Sequence, residues 1–244
     1  MPNKAYPLPT VEHLYQNHMM DSLRWNFLRP RADDITVATT YKAGTTWMQA
    51  IVANLIFGGA ELPGSLHELS PWIENRIFPL ELVLTRIERQ TQRRAVKTHL
   101  PLDGLPFYEN VKYIIVGRDP RDIFMSWANM YGDFTPQSIT LVNSIPGRLG
   151  DELRPCPDDI HELWRDWMTR GGFLWEQDGF PFYSVLRHAR TWWDYRHLPN
   201  ILHIHFADLL VDLEGGIRRV ARFLEIEQPA EPGLRLFITA HLRK

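Results

Sequence analysis

Cysteine is nearly missing from this chain of 244 residues, where Cys156 is the only one. No intramolecular disulfide can form, so a reducing compartment is the simpler expectation. Lysine is scarce too: of 27 basic residues only five are lysines, Lys4, Lys42, Lys97, Lys112 and Lys244, and arginine supplies the rest. The formal net charge is −2, and Arg93-Arg94 and Arg218-Arg219 are short pairs in mixed surroundings. Nothing here forms the basic stripe that DNA or RNA requires. No apolar run approaches the ~20 residues of a membrane span. Met1-Pro2-Asn3-Lys4 lacks the apolar core of a secretory signal, and a cytoplasmic location is expected. Internal repeats, low-complexity tracts and long charge blocks are also missing. What remains, 44% hydrophobic and 23% charged residues, is ordinary for a soluble globular protein, and the length suits a single domain over 1–244.

Against this background one segment carries chemistry. Thr40-Tyr41-Lys42-Ala43-Gly44-Thr45-Thr46-Trp47 follows a β-branched run, Ile35 to Thr39, and precedes Met48, Ile51, Val52, Leu55 and Ile56 at helical spacing. The unit reads strand, glycine turn, helix start. A helix N-terminus offers unpaired N–H groups and partial positive charge. Gly44 permits close backbone approach, Thr45 and Thr46 add hydroxyls, and Lys42 adds a full charge, so the loop is a phosphate cradle. It is not the nucleoside-triphosphate loop, in which the lysine follows the last glycine and precedes a magnesium-binding Ser/Thr. An anion held by lysine and hydroxyls without a metal is expected. Two of the five lysines, Lys42 and Lys97, fall at such strand ends, where a compact ammonium can be aimed at one oxygen.

Further strands are predicted at Arg94–Thr98, Lys112–Val116 and Ile201–Phe206, and helices around Val11 to Leu28, after Pro120, over His161–Thr169 and Tyr183–Tyr195, and from Leu213 to Leu224. Gly58 and Gly59 stop the helix that follows the cradle. Strands alternating with helices give an α/β fold of three layers, a central parallel sheet flanked by helices. Ligands in such sheets bind beyond the carboxyl ends of the strands. Loops 40–46, 99–103, 117–121 and 206–208 all lie there.

These four pieces, in this order, resemble the cytosolic-type sulfotransferases, which use 3′-phosphoadenosine 5′-phosphosulfate. The family's Tyr-Pro-Lys-Ser/Ala-Gly-Thr-Thr-Trp loop is matched from Lys42 through Trp47, its Lys-Thr-His-Leu-Pro segment is intact at 97–101, and Arg118 and Ser126 stand eight apart as in its second nucleotide segment. The order and spacing agree over roughly residues 24–226. The resemblance implies a P-loop-NTPase-like architecture, with a nucleotide core over about 35–130 and 201–226 and acceptor-pocket loops over about 60–90 and 132–180. It implies that Lys42, Ala43, Gly44, Thr45 and Thr46 cradle the 5′-phosphosulfate, with Trp47 and Phe206 beside the adenine. Lys97 would reach the sulfuryl oxygens, Arg118 and Ser126 would bind the 3′-phosphate, and His99 would take the acceptor's proton. Physics supports that division: sulfuryl transfer builds charge on the leaving oxygen, where a fixed lysine acts, and a histidine of pKa near ~6.5 can accept a hydroxyl proton. No metal is implied. The acceptor would be a small hydroxylated molecule, apolar if Trp72, Phe78, Trp127, Tyr131, Phe134, Trp164 and Trp167 wall the pocket; a core role for those rings weighs equally.

Three departures stand out. Thr40-Tyr41 replaces Tyr-Pro, which alters loop stiffness; Phe206 replaces tyrosine; and after Phe206 there is no Lys-Gly pair of the family's closing segment. The alternative expectation is therefore a weakly active or non-catalytic relative that only binds a phosphorylated adenosine, with the apolar run Leu234 to Ile238 as a substitute wall. A nucleotide kinase is disfavoured by the missing Lys-Ser/Thr pair. His203, His205 and Asp208 could be imagined around a metal, but sequence offers no further convergent ligand.

Overall fold

The computed structural model describes residues 7–147 and 149–227. The β-branched and apolar runs form four strands, β1 (Ile35–Thr39), β2 (Ala95–Thr98), β3 (Lys112–Gly117) and β4 (Ile201–His205). They lie in one parallel sheet in the order β2-β1-β3-β4. Val37 pairs with Lys97 on one side and Ile114 on the other, and Ile114 with Leu202. Side chains alternate across a strand, and here each face meets helices. Ile35, Val37, Ala95, Ile114, Val116 and Ile204 belong to one core with α1 (Thr45–Ile56) and the amphipathic helix Leu213–Leu224. Ala38, Val96, Tyr113, Ile115 and Ile201 belong to the other, which is rich in aromatic rings. A parallel sheet buried on both faces accounts for the nearly continuous apolar strands.

The remaining helices are α2 (Leu66–Leu69), α3 (Leu80–Glu88), α4 (Pro120–Gly132), α5 (Pro136–Asn143), α6 (Ile160–Thr169), α7 (Val185–Asp194), α8 (Phe206–Val211) and α9 (Leu213–Leu224). Three readings of the sequence need correction. The helix expected around Val11 to Leu28 is only a 3₁₀ turn at Ser22–Phe27. Upstream, the backbone is spent on tertiary pairing: Glu12 and His13 N–H donate to Asp103 O, Met20 bridges Asn75, and the Asn17 side chain accepts from Met19 and Met20. The segment after residue 132 carries α5, opened by Thr135 as cap and Pro136 at the first position, a signal present in the sequence. Phe206 leaves the fourth strand and opens α8, because the His205 side chain caps Ala207 N–H at 3.3 Å. The run Leu234 to Ile238 lies outside the described residues.

Candidate functional site

The helix caps show where an anion would be welcome. The first amides of α4, α5, α6, α7 and α9 are answered by side chains of Asp119, Thr135, Asp159, Ser184 and Asp212. Helix α1 instead begins on Gly44, at φ 105°, with no side-chain cap. Its amides face the open end of β1 with their partial positive charge. Lys42, also left-handed at φ 59°, stands just before them, and its ammonium has no hydrogen bond or ion pair among the described residues. Gly44 is required twice over, by its φ and by a neighbour: a Cβ there would stand 2.7 Å from Phe206 Cδ2.

Phe206 gathers three of the predicted residues. Its ring packs on Gly44, lies 5.3 Å from the Trp47 ring, and carries the Arg118 guanidinium 4.6 Å from its centroid. Arg118 in turn donates from Nη1 to the Lys42 carbonyl (2.9 Å), which ties the β3 end to the β1 loop. Its Nε is buried without a hydrogen-bond partner, with Asp122 Oδ2 3.8 Å away. Ser126 lies in the second turn of α4, half-buried, and its hydroxyl bonds none of the described residues.

His99 reaches the same place from β2. Its Nδ1–H donates to Thr39 O at 2.8 Å, since a carbonyl can only accept. Nε2 therefore holds the lone pair. The Thr39 hydroxyl lies 2.6 Å from Thr45 Oγ1, so imidazole, strand end and first helical residue form one chain of contacts. Burial, helped by the nearby Lys97 charge, pushes His99 down to about 3, against the pull of the Thr39 carbonyl. This corrects the ~6.5 expected from the sequence: the imidazole is neutral at pH 7 but has less drive to take a proton than an unperturbed histidine. Lys97 itself is buried, which lowers its pKa while Glu74 raises it, and its ammonium lies 5.1 Å over the Trp72 ring. The same ring meets His99 edge-on at 4.8 Å. The structure thus brings Lys42, Ala43, Gly44, Thr45, Trp47, Arg118 and Phe206 to one end of the sheet, with Lys97 and His99 on the adjoining strand; Thr46 is exposed there.

Two residues escaped sequence reasoning. Tyr41 marked a departure, yet it pins the loop: its N–H donates to Tyr183 Oη (3.0 Å), its hydroxyl donates to Tyr183 O and accepts from Trp167 Nε1 (2.7 Å). Glu74 gave no signal, because nothing in Pro71-Trp72-Ile73-Glu74 shows that its carboxylate is wholly buried. Of the rings offered as pocket walls, Trp127, Tyr131 and Trp167 are core residues, while Trp72 and Phe134 are partly exposed and Phe78 more so. His203, His205 and Asp208 do not converge; among the described residues the group with metal-ligand geometry is Glu12, His13 and Asp103, whose Asp103 already accepts from Arg187 and Tyr15.

Comparison with known proteins bears on this site. The profile of the Sulfotransferase domain family matches residues 32–243. A glycolipid sulfotransferase of Mycobacterium bovis is 35% identical over 238 residues, covering 92% of this chain and 72% of its own length. Sulfotransferase 1A1 of Rattus norvegicus is 26% identical, over 82% of this chain and 62% of its own length. Two solved structures share the fold. Retinol dehydratase in complex with retinol and PAP gives a TM-score of 0.63 at 24% identity, covering 88% of this chain and 66% of that one. A mouse sulfotransferase complexed with PAP gives 0.66 at 19% identity, covering 90% and 68%.

Proposed function

The chain belongs to the sulfotransferase domain family, and from that premise we propose that it moves a sulfuryl group from 3′-phosphoadenosine 5′-phosphosulfate to a hydroxyl of an apolar acceptor. The observation that carries the reading is the fixed tautomer of His99, whose Nε2 lone pair is free for a proton beside an uncapped helix start and an unpaired lysine. In the proposed step the acceptor oxygen attacks sulfur in line, its proton passes to His99 Nε2, and the S–O bond to the nucleotide phosphate breaks. The electron pair stays on the phosphate oxygen. Lys42, the α1 amides and the Thr45 and Thr46 hydroxyls meet that charge where it develops. Lys97 approaches the sulfuryl oxygens from β2. Arg118 and Ser126 are assigned to the 3′-phosphate, and Trp47 with Phe206 to the adenine. The donor is held by these groups without a metal. The mycobacterial relative, named a glycolipid sulfotransferase, supports a lipid-linked hydroxyl as the acceptor.

Labelled donor with a panel of apolar alcohols and glycolipids, with and without a chelator, tests the reaction. Chelator-resistant transfer is expected, whereas binding without turnover on any acceptor would favour a non-catalytic nucleotide-binding relative. The 3′-phosphate assignment is tested by comparing adenosine 3′,5′-bisphosphate with adenosine 5′-phosphate. Their difference in affinity should shrink in Arg118→Ala by about 1.5–3 kcal/mol, the value of a hydrogen bond to a charged group. An unchanged preference would move the 3′-phosphate elsewhere.

A further inference from the structure

Glu74 is a buried carboxylate for which the mechanism above has no task. It closes a segment that runs beside β2, where Lys97 N–H donates to Pro71 O (2.9 Å) and Trp72 bridges Lys97 in parallel. The side chain is 0% exposed. Its Oε1 accepts from Thr98 Oγ1 (2.9 Å) and from His99 backbone N–H (2.6 Å), and its Oε2 from Trp25 Nε1 (3.0 Å). All three donors are neutral. A fully buried carboxylate with neutral donors alone is costly unless a cation lies near. Burial raises the Glu74 pKa while its hydrogen bonds lower it. Lys97, itself buried and next to Thr98 in the strand, is the cation whose pKa the Glu74 charge raises, although the two form no direct ion pair among the described residues.

We propose that Glu74 is a positioning residue of the transfer site, fixing the backbone that carries His99 and serving as counter-charge to the Lys97 ammonium. The proposal rests on the roles given above to His99 and Lys97. One carboxylate thereby organises three consecutive residues, Lys97, Thr98 and His99, and a change in it reaches both the base and the sulfuryl-binding lysine. The other titratable groups facing this cluster are Tyr183, whose pKa the Glu74 charge raises, and His188 of α7, whose charge lowers that of His99. Burial lowers the Lys97 pKa and Glu74 raises it, so removing the carboxylate charge moves Lys97 deprotonation to lower pH. Transfer that needs a charged Lys97 is then lost earlier on the alkaline side. A merely structural residue would lower activity at all pH values without moving that limb.

The chain's five lysines make a direct readout practical. With ¹³Cε-labelled lysine, and Lys97→Arg to assign the signal, the Lys97 midpoint is followed by NMR in the wild type and in Glu74→Gln. The midpoint should fall by about one unit, the low end of what a close opposite charge contributes, and the alkaline limb of transfer should move with it. Glu74→Asp, which keeps the charge, should restore most of the midpoint. An unmoved Lys97 midpoint in Glu74→Gln overturns the proposal. Should that variant fail to fold, Lys97→Met answers from the other side: the Glu74 carboxyl midpoint rises if the pair is coupled, and an unchanged one overturns the proposal. Because the midpoints are read without turnover, a wild type that transfers nothing would defeat the proposed function while still deciding the Glu74–Lys97 coupling.

Discussion

At the scale of single residues the site is governed by which groups burial keeps neutral. Burial first, and the Lys97 charge second, hold His99 near 3, so at neutral pH the imidazole is unprotonated with its lone pair on Nε2. With the acceptor proton passing to Nε2 as proposed, His99→Ala should lower transfer by roughly 10²-fold, the usual contribution of a general base, and leave affinity for adenosine 3′,5′-bisphosphate nearly unchanged. Lys42→Ala should weaken both, since its charge acts on the donor. Isothermal titration beside initial rates separates the two, and a His99→Ala enzyme keeping more than about a tenth of the activity would remove the base assignment. His188, buried with Nε2 unpartnered, is also held near 3, by burial and then by His203. A histidine depressed in the folded state binds fewer protons there than when unfolded at ~6.5. Its contribution is complete above ~6.5 and is lost as pH falls toward 3. Relative to His188→Gln, the wild type should lose about 2 kcal/mol between pH 7 and 5, taking 1.36 kcal/mol per unit over the part of that interval below ~6.5. Urea denaturation at the two pH values reads this, and a constant offset between the proteins would refute it. Lys42 and His99 were legible in sequence because each sits in a short ordered motif; Glu74 was not, because its burial depends on Trp25 and Thr98, far along the chain.

At the scale of elements, strand ends and caps explain most of what could be foreseen. The cradle was readable because β-branched run, glycine and apolar helix follow one another within the 22 residues of β1, loop and α1. The false helix after Val11 shows the limit, since the backbone of Glu12, His13 and Met20 is recruited into pairing with Asp103 and Asn75, partners far along the chain. Loop 40–44 illustrates a substitution whose effect only packing reveals. Tyr41 stiffens that loop by anchoring it among Trp127, Phe182 and Tyr183, with its hydroxyl taking the Trp167 indole N–H. Tyr41→Phe keeps the ring and leaves the buried Trp167 donor unanswered, which costs about 1–3 kcal/mol. Chemical denaturation should show that loss, together with weaker adenosine 3′,5′-bisphosphate binding as Lys42 is released from its left-handed conformation. Full stability in Tyr41→Phe would mean that the rings alone hold the loop.

At the scale of the whole molecule the sheet has a chemical end and a structural end. Lys42, His99 and Arg118 occupy the carboxyl ends of β1, β2 and β3; the amino ends are joined by a different charge group. Arg94, just before β2, is nearly inaccessible and forms a two-pronged pair with Asp34, just before β1, through Nε–Oδ1 at 2.8 Å and a second bond to Oδ2. The same guanidinium donates to Arg29 O and Glu88, while Asp34 Oδ2 accepts from Arg31 N–H and Asp34 O from Lys112 N–H. Strands β1, β2 and β3 are thus tied together at the end remote from the cradle. Breaking a buried pair from one side leaves an uncompensated charge and costs about 3–5 kcal/mol, a large share of a domain's ~5–15 kcal/mol. Arg94→Met, which keeps the buried stem and removes the charge, should therefore lower the urea midpoint sharply. In the temperature range where the variant is still folded, its KM for donor and its kcat should stay those of the wild type, because no group of the cradle touches Arg94. The double variant Asp34→Asn/Arg94→Met, with neither charge left behind, should recover part of the lost stability, since replacing both partners of a buried pair is often close to neutral. A change in donor KM with little loss of stability would show instead that the two ends of the sheet communicate, and the division of labour would have to be withdrawn.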